Sequence, residues 1–155
     1  MEKENVAITD NLIDLLQANR SDLVGQYQKA LRQALFNTRS KMHPNMLRQI
    51  ATDEVDALTD FLQQSQSDAS GRGMQLHQAG LSVPPLMRLG QVTRQFFVIH
   101  LDVEQIPTAL EVVDNYQNYV VQGFVESLEK NVFDVQERTR HAFERVANRD
   151  NQQPA

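Results

Sequence analysis

The stretch PTALEVVDNYQNYVVQGFVESLEKNVFDVQERTRHAFERVANR, Pro107 to Arg149, decides the fold. Its one proline stands first, where an opening helical turn tolerates a missing N–H, and nothing after it forces a stop. At about 1.5 Å per residue the segment makes a rod on the order of 65–70 Å long, more than the width of a globule of this size. Within it Val121, Val125, Leu128, Val132, Val135, Thr139, Ala142 and Val146 step by alternating fours and threes. That is a heptad seam of nearly four repeats with Thr139 as its one polar member. The stripe continues past any core the rest of the chain can offer. A second copy is its simplest cover, so Val121, Val125, Leu128, Val132, Val135, Ala142 and Val146 are the expected interface of a homodimer; the alternative is that the stripe folds back onto its own bundle and leaves a monomer.

Upstream the same periodicity recurs in shorter pieces. Ser82 is placed to cap a helix with Pro84 and Pro85 in its first turn, and Leu86, Leu89, Val92, Phe96, Phe97 and Ile99 give it a wide apolar stripe, buried on more than one side. Asp102 can cap the long rod. Before Ser82, a short helix carries Met74, Leu76 and His77 and ends at Gly80, a residue suited to the left-handed conformation. The polar run from Gln63 to Gly73 reads as a helix end plus a loop. Pro44 opens a third helix whose Leu47, Ile50, Ala51, Glu54, Val55, Leu58, Phe61 and Leu62 hold one face with a single acidic interruption. Val24, Tyr27, Leu31 and Leu35 mark a second, opened by Ser21-Asp22. Leu12, Ile13, Leu15 and Leu16 mark a first, capped by Thr9 or Asp10. No strand-like alternation and no repeat appears, so the expected class is all-α, a single bundle of about six helices over 1–150 with a polar tail at 151–155.

Composition narrows the function. The 155 residues are 41% hydrophobic and 23% charged, one domain's worth, and a chain of this length buries roughly 70% of its unfolded surface. Fifteen Lys and Arg against twenty Asp and Glu give −5, the wrong sign for a protein that neutralises phosphates, so no nucleic-acid partner is expected. With no cysteine there is no disulfide, no thiolate nucleophile and no Cys-ligated zinc. The charged start and the lack of any apolar run of about 18 residues predict a cytoplasmic chain with no membrane span.

Catalytic signatures are missing: no phosphate loop, nucleophile elbow, metalloprotease helix or kinase set. Asp53, Glu54 and Asp56 read as a solvated helix flank rather than an acid–base pair, and the chain is not expected to be an enzyme. Among the histidines, His43 before Pro44 and His141 on the polar flank of the rod are expected to be exposed. His100, followed by Asp102 and Glu104, straddles a helix end and reads as a partly buried, hydrogen-bonded residue rather than a metal ligand. His77 is the exception. On a short helix followed by Gly80-Leu81 and a proline-containing start, it is similar to the proximal histidine of globin-coupled oxygen sensors. That resemblance implies haem ligation, with the Tyr27 hydroxyl facing bound oxygen. In that family the glycine follows by four residues rather than three, and a Trp-Tyr pair stands where this chain has Leu86-Met87. A phosphotransfer histidine is the remaining reading, but His77-Gln78-Ala79-Gly80 lacks the lysine of that motif.

From about Asp10 to Val135 the chain resembles the helical N-terminal sensor domains of stressosome-type regulators, the co-antagonists of bacterial stress sigma-factor pathways. The short helix ending in Gly80, the turn Gly80-Leu81-Ser82, Leu86 and Leu89 with Arg94 beyond, and the long closing helix carry the likeness. The resemblance implies a globin-like fold that usually holds no haem, a dimer, and a signal passed along the last helix to a downstream signalling protein or output domain. No such output domain is expected within these 155 residues, which are expected to be a truncated or free-standing sensor. Two readings therefore stand: a non-haem signalling module, and a haem-binding gas sensor that uses His77 and Tyr27.

Overall fold

A computed structural model of the chain describes residues 2–36, 41–64 and 68–152. Those residues form six helices and no strand: α1 (Glu2–Ala18), α2 (Arg20–Phe36), α3 (Pro44–Gln63), α4 (Ser70–Gln78), α5 (Val83–His100) and α6 (Ile106–Gln152). None of them is long and apolar enough to cross a membrane. The polar run Gln63–Gly73 is not a loop to its end, because Ser70–Gly73 already belong to α4, and Asn151 and Gln152 of the expected tail continue α6; residues 65–67 and 153–155 lie outside the described residues.

The third helix matches its pattern in full. All eight predicted positions from Leu47 to Leu62 are buried, Glu54 among them, and the His43 ring caps the helix by accepting from the Asn45 N–H at 3.2 Å. The first helix does not begin at Thr9 or Asp10 but seven or more residues earlier, because nothing before them breaks a helix and Glu4 suits the positive end of the helix dipole. It yields to α2 at Asn19, whose side-chain amide donates to the Leu15 carbonyl at 3.0 Å. Along α2, Leu23, Tyr27, Leu31 and Leu35 face inward while Val24 is half-buried.

Gly80 ends α4 as its position predicts. At φ 89° it lets its own N–H reach the His77 carbonyl and the Leu81 N–H reach that of Leu76, which buries Leu76 and Leu81 together. The turn then places Ser82 as N-cap of α5, but its hydroxyl makes no cap bond and is buried without a partner among the described residues. The cause is in the sequence: the N–H groups such a hydroxyl would receive belong to Pro84 and Pro85, which have none. The buried side of α5 is also narrower than its stripe. Leu86, Leu89, Thr93, Phe96 and Phe97 face the core, whereas Ile99 is exposed. Asp102 serves the next turn through its backbone carbonyl, which accepts from the Gln105 N–H at 2.9 Å, and α6 starts only at Ile106 with Pro107 in its first turn.

The core gathers apolar residues from all six helices. In α6 the buried residues run from Ala109 to Phe124 and stop there, so that from Val125 to Gln152 no residue is buried. With 47 residues at about 1.5 Å each, α6 is about 70 Å long, and more than a third of it projects beyond the bundle.

Candidate functional site

The overhang is the first element of the site. Val125 and Leu128 are 40% exposed, Val132 49%, Val135 54% and Val146 57%, with Ala142 and Thr139 also exposed; of the predicted interface residues Val121 alone packs against the core. The chain does not fold this edge back onto itself. A shallow groove at its far end is lined by Arg138, Thr139, Ala142, Phe143 and Val146.

The second element is the attachment of α4 to α6 just before the bundle ends. Gly73 and Gly123 let the two backbones touch: a Cβ on Gly73 would lie 1.8 Å from the Val120 carbonyl oxygen, and one on Gly123 would lie 1.8 Å from that of Ser70. Within two turns of that contact, His77 Nδ1 is hydrogen-bonded to Ser127 Oγ at 2.7 Å and its ring stands edge-on to Phe124 at 5.2 Å. His77 is therefore the α4 side chain that grips α6 where the buried stretch gives way to the exposed one.

Beneath α4 lies a polar centre. Arg72 donates from Nε to Glu54 Oε2 at 2.9 Å and from Nη2 to the Ile50 carbonyl at 3.0 Å, and the Tyr116 hydroxyl donates to Glu54 Oε1 at 3.0 Å. The reading of Glu54 as part of a solvated flank is thus overturned. Its helical phase puts it on the apolar face with Ile50 and Leu58, while Asp56 on the outer face pairs with Arg20. Burial, and then the charge of Glu54, pushes the Tyr116 and Tyr27 hydroxyls well above the usual phenol range.

Tyr27, fully buried, is hydrogen-bonded to Thr93 Oγ1. Because Thr93 donates its single proton to the Leu89 carbonyl at 3.0 Å, Tyr27 must be the donor in that contact. The proton that a haem arrangement would aim at bound oxygen is already taken. Tyr27 is held by α5 through Thr93, and His77 by α6 through Ser127. The residues present do not fit haem in that arrangement. Compared with known proteins, the chain matches no family model, no curated protein and no solved structure.

The other histidines have local roles. His43 is exposed at its cap, and His141 lies between Glu137 and Glu144 on the outer face of α6. His100 donates from Nδ1 to the Phe96 carbonyl at 2.8 Å, with its ring 4.3 Å from that of Phe96. Among the described residues no three acidic or histidine side chains converge as a metal site would need. Sequence reasoning missed Arg72 altogether. The one available signal was an acidic residue at a core position of α3, which requires a buried cation or donor somewhere in the chain.

Proposed function

We propose that this chain is a non-enzymatic signalling module of the stressosome-sensor type, globin-like in fold, that works as a homodimer and transmits changes in helix packing through α6. One observation carries the reading: the apolar edge from Val125 to Val146 lies uncovered along the projecting part of α6. About ten such half-exposed side chains across a pair contribute on the order of 10 kcal/mol when covered. That is comparable to the association cost of about 4–15 kcal/mol, so covering the edge offsets that cost, and contacts beside the seam set how tight the dimer is.

The input side of the reading rests on α4. Its backbone contact with α6 at Gly73 and Gly123 and its grip through His77 mean that α4 cannot shift without carrying the exit of α6 with it. An effector that favours one α4 packing over another changes how the paired helices cross, and that change reaches whatever lies beyond Arg149. The effector must favour one packing by a few kcal/mol; equal affinity for both transmits nothing. The pathway and the downstream partner come from the resemblance to stressosome-type sensors.

Light scattering tests the core of this reading. The wild type is expected at twice the chain mass, and Leu128→Asp at the monomer mass with unchanged helicity, since Leu128 supports no part of the bundle core. Monomers for both proteins would remove the proposal.

A further inference from the structure

The charged side chains of the distal overhang divide by face, apart from Arg149, which stands on the seam at d. With Val132 and Val146 at heptad position a and Ala142 at d, Arg138 and Arg145 fall at g, Phe143 and Asp150 at e, and Glu137, Arg140, His141 and Glu144 on the side away from the seam. The outer four satisfy one another. Arg140 pairs with Glu137 at 2.9 Å and reaches Glu144 at 3.9 Å, and His141 sits within 3.7 Å of both carboxylates. The flanking residues have no such arrangement: among the described residues Arg138, Arg145 and Asp150 enter no ion pair, and the Phe143 ring is 72% exposed.

We infer that the occupant of this edge is a second copy of the chain lying parallel and in register. This inference rests on the homodimer reading above and adds its orientation. In a parallel pair each g residue faces the e residue of the following heptad across the axis. Arg145 then meets the partner's Asp150, and the Arg138 guanidinium covers the partner's Phe143 ring, each twice by symmetry. Antiparallel pairs set g against g and e against e. An antiparallel overlap of the distal halves opposes Arg138 to the partner's Arg145 and Glu129 to the partner's Asp150. An overlap of the whole seam places Asn131 by the partner's Arg138 and Glu129 by the partner's Gln136, with no pair of opposite charges. Only the parallel register uses the flanks that the monomer leaves without an ion pair. Phe133, at position b, stays outside the contact. The arrangement puts both bundles at one end and brings the two chains out side by side after Arg149, as joint delivery of a signal requires.

The absence of native cysteine makes the test direct. Val132→Cys and Ala142→Cys are made singly in the full chain, their masses measured reduced, and each is then equilibrated in a glutathione redox buffer. The two positions are roughly 15 Å apart along the axis. Parallel, in-register helices bring both residues opposite their twins, within the Cα separation of about 4.4–6.8 Å that a disulfide accepts, so both variants are expected to cross-link. An antiparallel pair has one crossing point and can link at most one. A dimeric mass with one or neither variant linked overturns the parallel register and leaves the homodimer intact. A monomeric mass with no linking overturns both. Charge exchange gives a second readout: Arg145→Glu and Asp150→Arg should each raise the dimer dissociation constant about two- to ten-fold, and the double variant should return it toward the wild-type value. Single effects without that rescue count against the pairing.

Discussion

Arg72 and Glu54 meet at the dry centre of the molecule, 2.9 Å apart, with side chains only 8% and 2% exposed. Since Tyr116 donates to the same carboxylate, α3, α4 and α6 share a single anion. Burial by itself would lower the Arg72 pKa; the charge of Glu54 and the hydrogen bond to it more than offset that and hold the guanidinium charged. Such a pair adds little over a well-packed apolar replacement, yet it is costly to break, and it fixes where α4 can sit on the bundle.

Breaking the pair from one side should therefore cost more than removing it whole. Glu54→Leu leaves a buried, uncompensated guanidinium, and Arg72→Met leaves a buried carboxylate; each is expected to lose about 3–5 kcal/mol. The double variant removes both charges and should lose clearly less than the sum. Urea unfolding of the four proteins closes the cycle, and additive losses would show that the two side chains are not coupled.

The glycine contact makes an equally sharp demand. Gly73→Ala and Gly123→Ala each drive a methyl group into carbonyl backbone, where no rotamer change gives relief, so α4 must lift from α6. Each should cost at the top of the range of about 1–3 kcal/mol for overpacking, or more. Gly71→Ala, on the same helix but with open space at its Cβ, should instead gain up to about 1 kcal/mol from helix propensity. Thermal melts of the three variants suffice. A loss at Gly71 equal to that at Gly73 would mean that propensity or disorder of α4, rather than close approach, governs the result.

What could be read from the chain follows from the range of each interaction. The eight-residue face of α3, the stop at Gly80 and the unbroken course of α6 are written in local periodicity and punctuation. The exposed edge of α6 was legible for the same reason, because a heptad pattern longer than the bundle has to emerge from it. Arg72 was not legible: its partner lies 18 residues away in another helix, and an arginine in a polar, Gly- and Ser-rich run carries no periodic mark of burial. The backbone contact of Gly73 with α6 depends on two glycines that come together only in the folded state. Ser82 misled because the capping preference assumes N–H groups that the two following prolines lack.

That last point gives a prediction against the usual trend. Replacing an N-cap serine by alanine ordinarily costs about 0.5–2 kcal/mol. Here the hydroxyl makes no cap bond and is buried without a partner among the described residues, so Ser82→Ala removes a desolvated polar group and should be neutral or stabilising. Chemical denaturation decides it. A loss near 1 kcal/mol would show that the hydroxyl is bonded in solution.

Alkaline pH should unfold the protein through its buried tyrosines. Tyr27 and Tyr116 are both shifted upward, first by burial and then by the charge of Glu54, from the value of 10.0 they regain in the unfolded chain. Above about pH 10 the unfolded state releases protons that the native state keeps, so it binds fewer protons and stability falls as pH rises. Each tyrosine contributes a slope of about 1.4 kcal/mol per pH unit. Below that pH both hydroxyls are neutral in either state, and their share of the stability is fully present. Melting temperatures followed from about pH 9 to 11.5 should drop steeply for the wild type and less steeply for Tyr27→Phe, which deletes one titrating group and the bond to Thr93 but leaves Tyr116 and its bond to Glu54 in place. If Tyr27→Phe keeps the full wild-type slope, the Tyr27 hydroxyl must ionise in the native state, and its enclosure by α5 would be wrong.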